Sequence, residues 1–260
     1  MNVWYMNGAG NDFMVIDARG VETELDFSAL ALELCGNQVA DGFMAVGDSD
    51  KADFRLHFYN SDGSRGEMCG NGARCICRYA YDHGIAGESM VVETDAGLVY
   101  GWRLSESQYR VKLNNPGVFD LHRKEDAAYV ELGNPGVPHA VKEVPGLTFQ
   151  NREAYWEMGK ALRHDPAFPK GANANMYTWI GENAVRVLTF ERGVEDYTLA
   201  CGTGTASTAC VLWAEGKLPG GHVIAENQGG TLEVTLEDKD GEITAIYLEG
   251  PTEVVRVFDL

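Results

Sequence analysis

The sequence predicts an α+β fold made of two similar halves. Three observations predict it. A strand–loop–Cys-Gly-x-Gly–helix–glycine unit occurs twice, many short runs alternate apolar and polar residues, and the few helical stretches do not alternate strictly with the strands. The first unit contains EMCGNGARCICRYAYDHG (67–84) and the second LACGTGTASTACVLWAEG (199–216). Cys69 and Cys201 stand 132 positions apart in a chain of 260, and Gly84 and Gly216 each follow their cysteine by fifteen.

In chain order, the first half offers a strand leading into MNGAGNDFMVID (6–17) and a helix over 26–36. A strand FRLHFY (54–59) then ends at Asn60, and a helix spans 71–83. VVETDAGLVY (91–100) and YRVKL (109–113) complete the half. The second half repeats the plan. AYVEL (128–132) leads into GNPGVPHAVKEV (133–144), followed by a helix over 151–163 and a long ordered loop, HDPAFPKGANAN (164–175). The strand VRVLTF (185–190) ends at Glu191, a helix spans 203–215, and VIAENQGGTLEV (223–234) follows, its strand running on as LEVTL (232–236). Glu93 aligns with Glu226 and Gly97 with Gly230. Alternating strands of this kind are half-buried, and glycines just past helical stretches act as C-caps. The halves are read as 1–115 and 116–249, with the C-terminal strand within 250–260 expected to return to the first.

Composition narrows the function. A net charge of −18 repels phosphate backbones, so no nucleic-acid partner is expected. No apolar run reaches the ~18 residues of a membrane span. The N-terminus MNVWYMNGAGNDF has no basic region followed by an apolar stretch. A cytosolic protein is expected, and its six cysteines are then thiols rather than a disulfide framework. Cys35 and Cys210 read as small core residues. Cys75 and Cys77, two apart on a helix, do not share a face and make a poor metal pair.

Cys-Gly-x-Gly at a strand-to-helix junction has a chemical meaning. Glycines let the backbone approach a ligand closely. The helix N-terminus offers unpaired N–H groups and partial positive charge, an anion site that also stabilises a thiolate. Two such devices face to face would hold one carboxylate, with a thiol on each side of the adjacent carbon. One thiolate would remove the α-proton and the other thiol would return a proton to the opposite face. The scheme calls for neither metal nor pyridoxal group. GTGTAS (202–207) and GNGARC (70–75) are only partial dinucleotide fingerprints.

With these residues in view, the chain resembles the diaminopimelate epimerases along nearly its whole length. The match lies in NGAGNDFMVID (7–17), YNSDGSRGEMCGNGARC (59–75), GVPHAV (136–141), ANANMY (172–177), ERGVEDYTLACGTGTAS (191–207) and GGTLEV (229–234). The resemblance implies two pseudosymmetric halves, each a mostly antiparallel sheet wrapped around a central helix, with the active site in the cleft between. It implies a cofactor-independent isomerase, an expected homodimer, with Cys69 and Cys201 as the base–acid pair. Gly70, Asn71, Gly202 and Thr203 would supply backbone donors to the reacting carboxylate. Asn11, Asn60, Asn173, Glu191 and Arg192 would hold the distal end of the substrate, which carries a second ammonium and carboxylate. Two departures touch that distal pocket. The family's glycine-rich G-I-G-x-D-G stretch is here NQVADG (37–42), and its G-N-P-H is Gly-Val-Pro-His, with Val137 in place of an asparagine and Asn134 nearby. The alternatives are a related cofactor-independent racemase of another amino acid such as histidine, and a thiol redox sensor.

Overall fold

The computed structural model describes residues 1–36, 39–66 and 69–260. They form two compact units, Met1–Lys112 with Glu249–Leu260, and Leu113–Leu248. Of the two departures in sequence, that at Asn37 and Gln38 lies outside the described residues.

In the first unit β1 (Asn2–Gly8) and β2 (Asn11–Asp17) form an antiparallel hairpin. Its two turn residues, Ala9 and Gly10, both have positive φ, 55° and 94°, as a two-residue turn matched to strand twist requires. Next comes α1 (Phe27–Cys35), whose N-cap Asp26 accepts from the Ala29 N–H at 3.0 Å. β3 (Gly42–Gly47) runs parallel to β2, and β4 (Phe54–Asn60) antiparallel to β3. After α2 (Gly70–Asp82), β5 (Ser89–Thr94) lies parallel to β4, β6 (Gly97–Arg103) antiparallel to β5, and β7 (Gln108–Leu113) antiparallel to β6.

The second unit repeats these pairings. β8 (Pro116–Lys124) precedes β9 (Ala127–Gly133) and β10 (Gly136–Glu143), each antiparallel to the last. The expected helix over 151–163 divides into a 3₁₀ turn, Arg152–Tyr155, and α3 (Trp156–Arg163). The division follows from Asn151, whose side chain bonds the Thr148 N–H and the Gly146 carbonyl and so holds a turn there. β11 (Asn173–Gly181) is parallel to β10, so the loop expected over 164–175 ends in strand at Asn173. β12 (Ala184–Glu191) is antiparallel to β11, and the short β13 (Asp196–Thr198) to β12. After α4 (Gly202–Ala214), β14 (His222–Asn227) lies parallel to β12 and β15 (Gly230–Lys239) antiparallel to β14. β16 (Glu242–Pro251) and β17 (Glu253–Asp259) close the chain.

From the first hairpin onward, both units run antiparallel, parallel, antiparallel, parallel, antiparallel. β17 adds a further antiparallel strand beside β1, as β8 does beside β9. The repeat reaches single side chains. Arg55 stands opposite Glu93 in the β4–β5 register and bonds it at 3.4 Å, while Arg186 stands opposite Glu226 in β12–β14 and bonds it at 2.7 Å. The α+β class and the doubled architecture are as the sequence predicts.

Each unit is centred on its second helix. Ten of the thirteen residues of α2 and ten of the thirteen of α4 are buried, which makes them the cores on which the strands pack. β1, β2 and β6 lie against α2, and β9, β10, β11 and β15 against α4. A satellite core of Val3, Met14, Ile16, Phe27 and Phe43 fills the space under α1, and one of Tyr129, Leu162, Phe168, Met176 and Phe190 the space under α3. Both central helices end in the same Schellman motif. The N–H groups of Gly84 and Ile85 bond the carbonyls of Tyr81 and Ala80, and those of Gly216 and Lys217 bond Trp213 and Leu212. Among the described residues, no helix is long and apolar enough to cross a membrane.

At φ +69°, Gly216 has open space around a hypothetical Cβ, whereas at Gly221 (φ +67°) that atom would sit 2.5 Å from the Leu236 carbonyl oxygen. Gly216→Ala should therefore cost only the left-handed backbone penalty, ~1–2 kcal/mol, and Gly221→Ala distinctly more. Urea unfolding midpoints at unchanged slope measure both; equal losses would contradict the steric argument.

Candidate active site

Cys69 and Cys201 are the N-cap residues of α2 and α4. Their backbones are alike, extended at φ −102°, ψ 124° and φ −122°, ψ 107°. A strand-like N-cap turns the chain so that its side chain meets the first helical turn. In the second unit this contact is explicit. Cys201 Sγ accepts from the Gly204 N–H at 3.4 Å and lies 3.6 Å from Thr203 Oγ1. The helix N-terminus thus places partial positive charge beside the sulfur, which favours thiolate over thiol. Cys201 is buried and Cys69 half-buried. Gly70, Asn71 and Gly202 are buried in the first turns, and Thr203 is half-buried.

The glycine spacing has a steric cause in the second unit. A Cβ at Gly204 would overlap the Asn175 side-chain oxygen and approach Cys201 Sγ to 3.2 Å. Asn175 is itself fixed in the core. Its amide donates to the carbonyls of Ala140 and Asn173 and to His139 Nδ1 at 3.2 Å, and its oxygen accepts from Thr189. The other four cysteines are structural. Burial pushes the thiols of Cys35, Cys75, Cys77 and Cys210 up to about 12. Cys75 is turned toward Gly8 of β1 and Cys77 toward Gly101 of β6, so the two diverge.

Of the residues assigned to the distal end of the substrate, the structure joins some and separates others. Asn11, at the start of β2, accepts from Asn71 Nδ2 at 2.7 Å and donates to Asp41 Oδ2 at 3.1 Å. Asn60, at the exposed end of β4, bonds Ser64 at 2.9 Å instead. In the second unit Asn173 Oδ1 accepts from the Arg192 backbone N–H at 2.8 Å, and the exposed Arg192 guanidinium donates to the Lys170 carbonyl. Glu191 ends β12 opposite Asp196, at the position equivalent to Asn60. Val137 is half-buried in β10 opposite Leu132, and Asn134 is exposed in the β9–β10 turn.

Three residues of these networks carry no role in the sequence reading. Asp41, the acidic residue retained in NQVADG, is the acceptor that anchors Asn11. Glu131 binds Lys170 at 2.9 Å and so braces the segment that holds Arg192. His139, inside GVPHAV, is fully buried against Asn175. With Nδ1 accepting the amide hydrogen, its proton sits on Nε2, which meets no partner among the described residues. The GVPHAV segment was a signal for His139 and the aspartate retained in NQVADG one for Asp41; Glu131 has none beyond its contacts.

The solved structures to which the chain is similar define the class. A phenazine biosynthesis protein of the PhzF family from Bacillus anthracis superposes with a TM-score of 0.75 at 15% identity, covering 100% of this chain and 98% of its own. A hydroxyproline epimerase from Agrobacterium vitis gives 0.72 at 18% identity, covering 100% and 90%. The chain therefore has the two-unit fold of this group of proteins. Its sequence is more specific. The diaminopimelate epimerase family model matches residues 3–115 and 132–255. A diaminopimelate epimerase from Aquifex aeolicus is 34% identical over 278 aligned positions, covering 100% of this chain and 96% of the relative. The chain belongs to the diaminopimelate epimerase family.

Burial, with a smaller contribution from the Arg192 charge, lowers the His139 pKa to about 3. The folded protein then binds no proton there between about 6.5 and 3, while the unfolded chain does. Stability should fall as the pH drops through that window, by about 1.4 kcal/mol per pH unit from this group. The difference in slope between the protein and His139→Asn, from denaturant titrations at several pH values, measures it. Identical slopes would show that His139 is protonated in the fold.

Proposed function

We propose that the protein interconverts LL- and meso-diaminopimelate by proton transfer at Cα between two thiols, a reaction that serves lysine and cell-wall synthesis. The observation that carries the reading is that a reactive-type cysteine caps the buried helix of each unit in the same backbone conformation. Membership of the diaminopimelate epimerase family supports it.

In the proposed reaction the substrate α-carboxylate binds the N–H groups of the two first turns, Gly70 and Asn71 on one side and Gly202 and Thr203 on the other. The Cα–H bond breaks as an S–H bond forms on one cysteine, and charge spreads onto the carboxylate, where those N–H groups stabilise it. The other cysteine gives its S–H proton to the opposite face of Cα. One proton leaves and one arrives, so no oxidant or reductant is needed, and the cysteines exchange roles in the reverse direction. Asn11, Asn60, Asn173, Glu191 and Arg192 recognise the second amino-acid end, the glutamate accepting from its ammonium and the arginine gripping its carboxylate. In this proposal the enzyme acts in the cytosol, as a homodimer, with both thiols reduced.

Incubation with LL-diaminopimelate in deuterium oxide under reductant should incorporate deuterium at Cα and form the meso isomer. Cys69→Ala and Cys201→Ala should each lower turnover at least ~10²-fold, the weight of one positioned acid or base. Incorporation into another amino acid but not diaminopimelate would keep the chemistry and move the substrate; none with any amino acid would defeat the proposal. Arg192→Met should raise KM ~10-fold or more, the worth of a charge-assisted hydrogen bond, with a smaller effect on kcat. Steady-state kinetics separates the two, and an unchanged KM would remove Arg192 from the binding site.

A further inference from the structure

Arg74 is fully buried in α2, and the two-thiol scheme gives it no part. Burial lowers its pKa, but only to about 10, so it stays charged at neutral pH. Taking a guanidinium out of water is costly, and proteins usually answer it with a carboxylate. Among the described residues no carboxylate bonds Arg74. Its Nη2 donates to Asn71 Oδ1 at 3.0 Å, its Nη1 reaches the Gly70 carbonyl at 3.5 Å, and its Nε meets no partner among the described residues. Among the described residues, the ionisable groups that act on its charge are thiols, those of Cys75, Cys69 and Cys77. Burial keeps Cys75 and Cys77 protonated, at about 12. Cys69, half-buried at the N-cap of the same helix, is the one of the three that can answer the charge.

The second unit lacks this device. At the spacing that relates Cys69 to Cys201, Arg74 corresponds to Ala206 and Cys75 to Ser207, both buried in α4. The charge also organises its surroundings. Arg74 donates to Asn71, Asn71 to Asn11, and Asn11 to Asp41. A guanidinium only donates and a carboxylate only accepts, so the two ends fix the orientation of both amides between them. The Asn71 side chain is thereby committed to Arg74 and Asn11.

Among the described residues of the strands that pack most on α2, charges come from β2 and β6, since β1 carries none, and the helix adds its own. Asp12 of β2 acts on Cys75, opposing its ionisation, and is held by Asn7 at 2.8 Å. Asp17 of β2 is paired with Arg19. Arg103 of β6 lies over the Tyr81 ring at the far end of α2, where Arg78 and Asp82 pair with each other.

We propose that Arg74 is a positioning residue that supplies the buried counter-charge to Cys69, making Cys69 the more acidic of the two motif cysteines and the thiolate of the resting protein. The catalytic meaning of this inference rests on the two-thiol reading above; the acidity itself does not. The two thiols can be titrated separately, Cys69 in Cys201→Ala and Cys201 in Cys69→Ala, by the rate of iodoacetamide alkylation against pH, with the modified residue identified by mass spectrometry. The four buried thiols remain silent near neutrality. Cys69 should titrate below Cys201. Arg74→Met should raise the Cys69 midpoint by about one unit, slowing its alkylation at neutral pH about tenfold, while Arg74→Lys keeps the midpoint low. A Cys69 no more acidic than Cys201, or one unmoved by Arg74→Met, would overturn the proposal. If Arg74→Met does not fold, the order of the two thiols and the Arg74→Lys midpoint decide. Turnover is not measured, so inactivity toward diaminopimelate would defeat the proposed function without altering this result.

Discussion

The first turn of a buried helix is the constraint on which each unit depends. α2 and α4 run through the middle of their units, so their leading N–H groups cannot all be left to bulk water. An aspartate or serine would satisfy them permanently, as Asp26 does for the more exposed α1. A cysteine satisfies them weakly. Cys201 Sγ takes one N–H at 3.4 Å, and a thiol sulfur is a weak acceptor. An anion offered to these turns would find donors only loosely engaged. The weak cap and the anion site are two aspects of one choice of residue.

Around that choice the duplication is close in the backbone and loose in the side chains. The order of strand orientations, the N-cap dihedrals, the Schellman ends and the Arg55–Glu93 and Arg186–Glu226 pairs recur in both units. The layers beneath the cysteines differ. Under Cys201 the support is neutral, Asn175 holding His139 and two carbonyls and pressing on Gly204. Beside Cys69 it is charged, a guanidinium bonded to the first turn itself. A reaction that runs in both directions needs an acid and a base of comparable reach, but the resting state has to put the proton on one of them. Symmetric backbones with asymmetric buried polarity meet both demands.

Much of this was legible in the sequence because it rests on local chemistry. Positive φ at a helix stop needs glycine, so Gly84 and Gly216 announce the ends of α2 and α4. Alternation announces β7, β9 and β15, although β9 is buried at all but its last position rather than half-buried, its Glu131 being paired with Lys170. Elements without a local signature were not legible. β3, GFMAVG, is buried at every position and has no alternation to read. β8 begins at a proline and is exposed along much of its length, the marks of an edge-like strand rather than of a core one. At the candidate site the cysteines could be found by comparing the chain with itself, whereas Asp41 and Glu131 could not. Their roles arise from contacts across 29 or more positions of sequence, as in Asp41 with the Asp12 N–H and Glu131 with Lys170. Arg74 stands inside the first Cys-Gly-x-Gly segment, yet only its burial, with no carboxylate bonded to it among the described residues, distinguishes it from a solvated helix residue.

The overall charge poses a last question, since a chain of net charge −18 is an unpromising host for a carboxylate. The proposed substrate carries two ammonium and two carboxylate groups and so has no net charge to be repelled. At physiological ionic strength the field of distant surface carboxylates also fades over ~8 Å. Recognition then falls to fixed dipoles and charges within one helical turn of the ligand, whose influence is equally short in range. Several acidic groups of this chain are answered close by, Glu93 by Arg55 and Lys51, Glu131 by Lys170, Glu226 by Arg186. Arg74, buried and bonded to no carboxylate among the described residues, is tied to Gly70 and Asn71 in the first turn that Cys69 caps. The electrostatics of the molecule are set by where single charges are buried, and the sign of the total has little bearing on them.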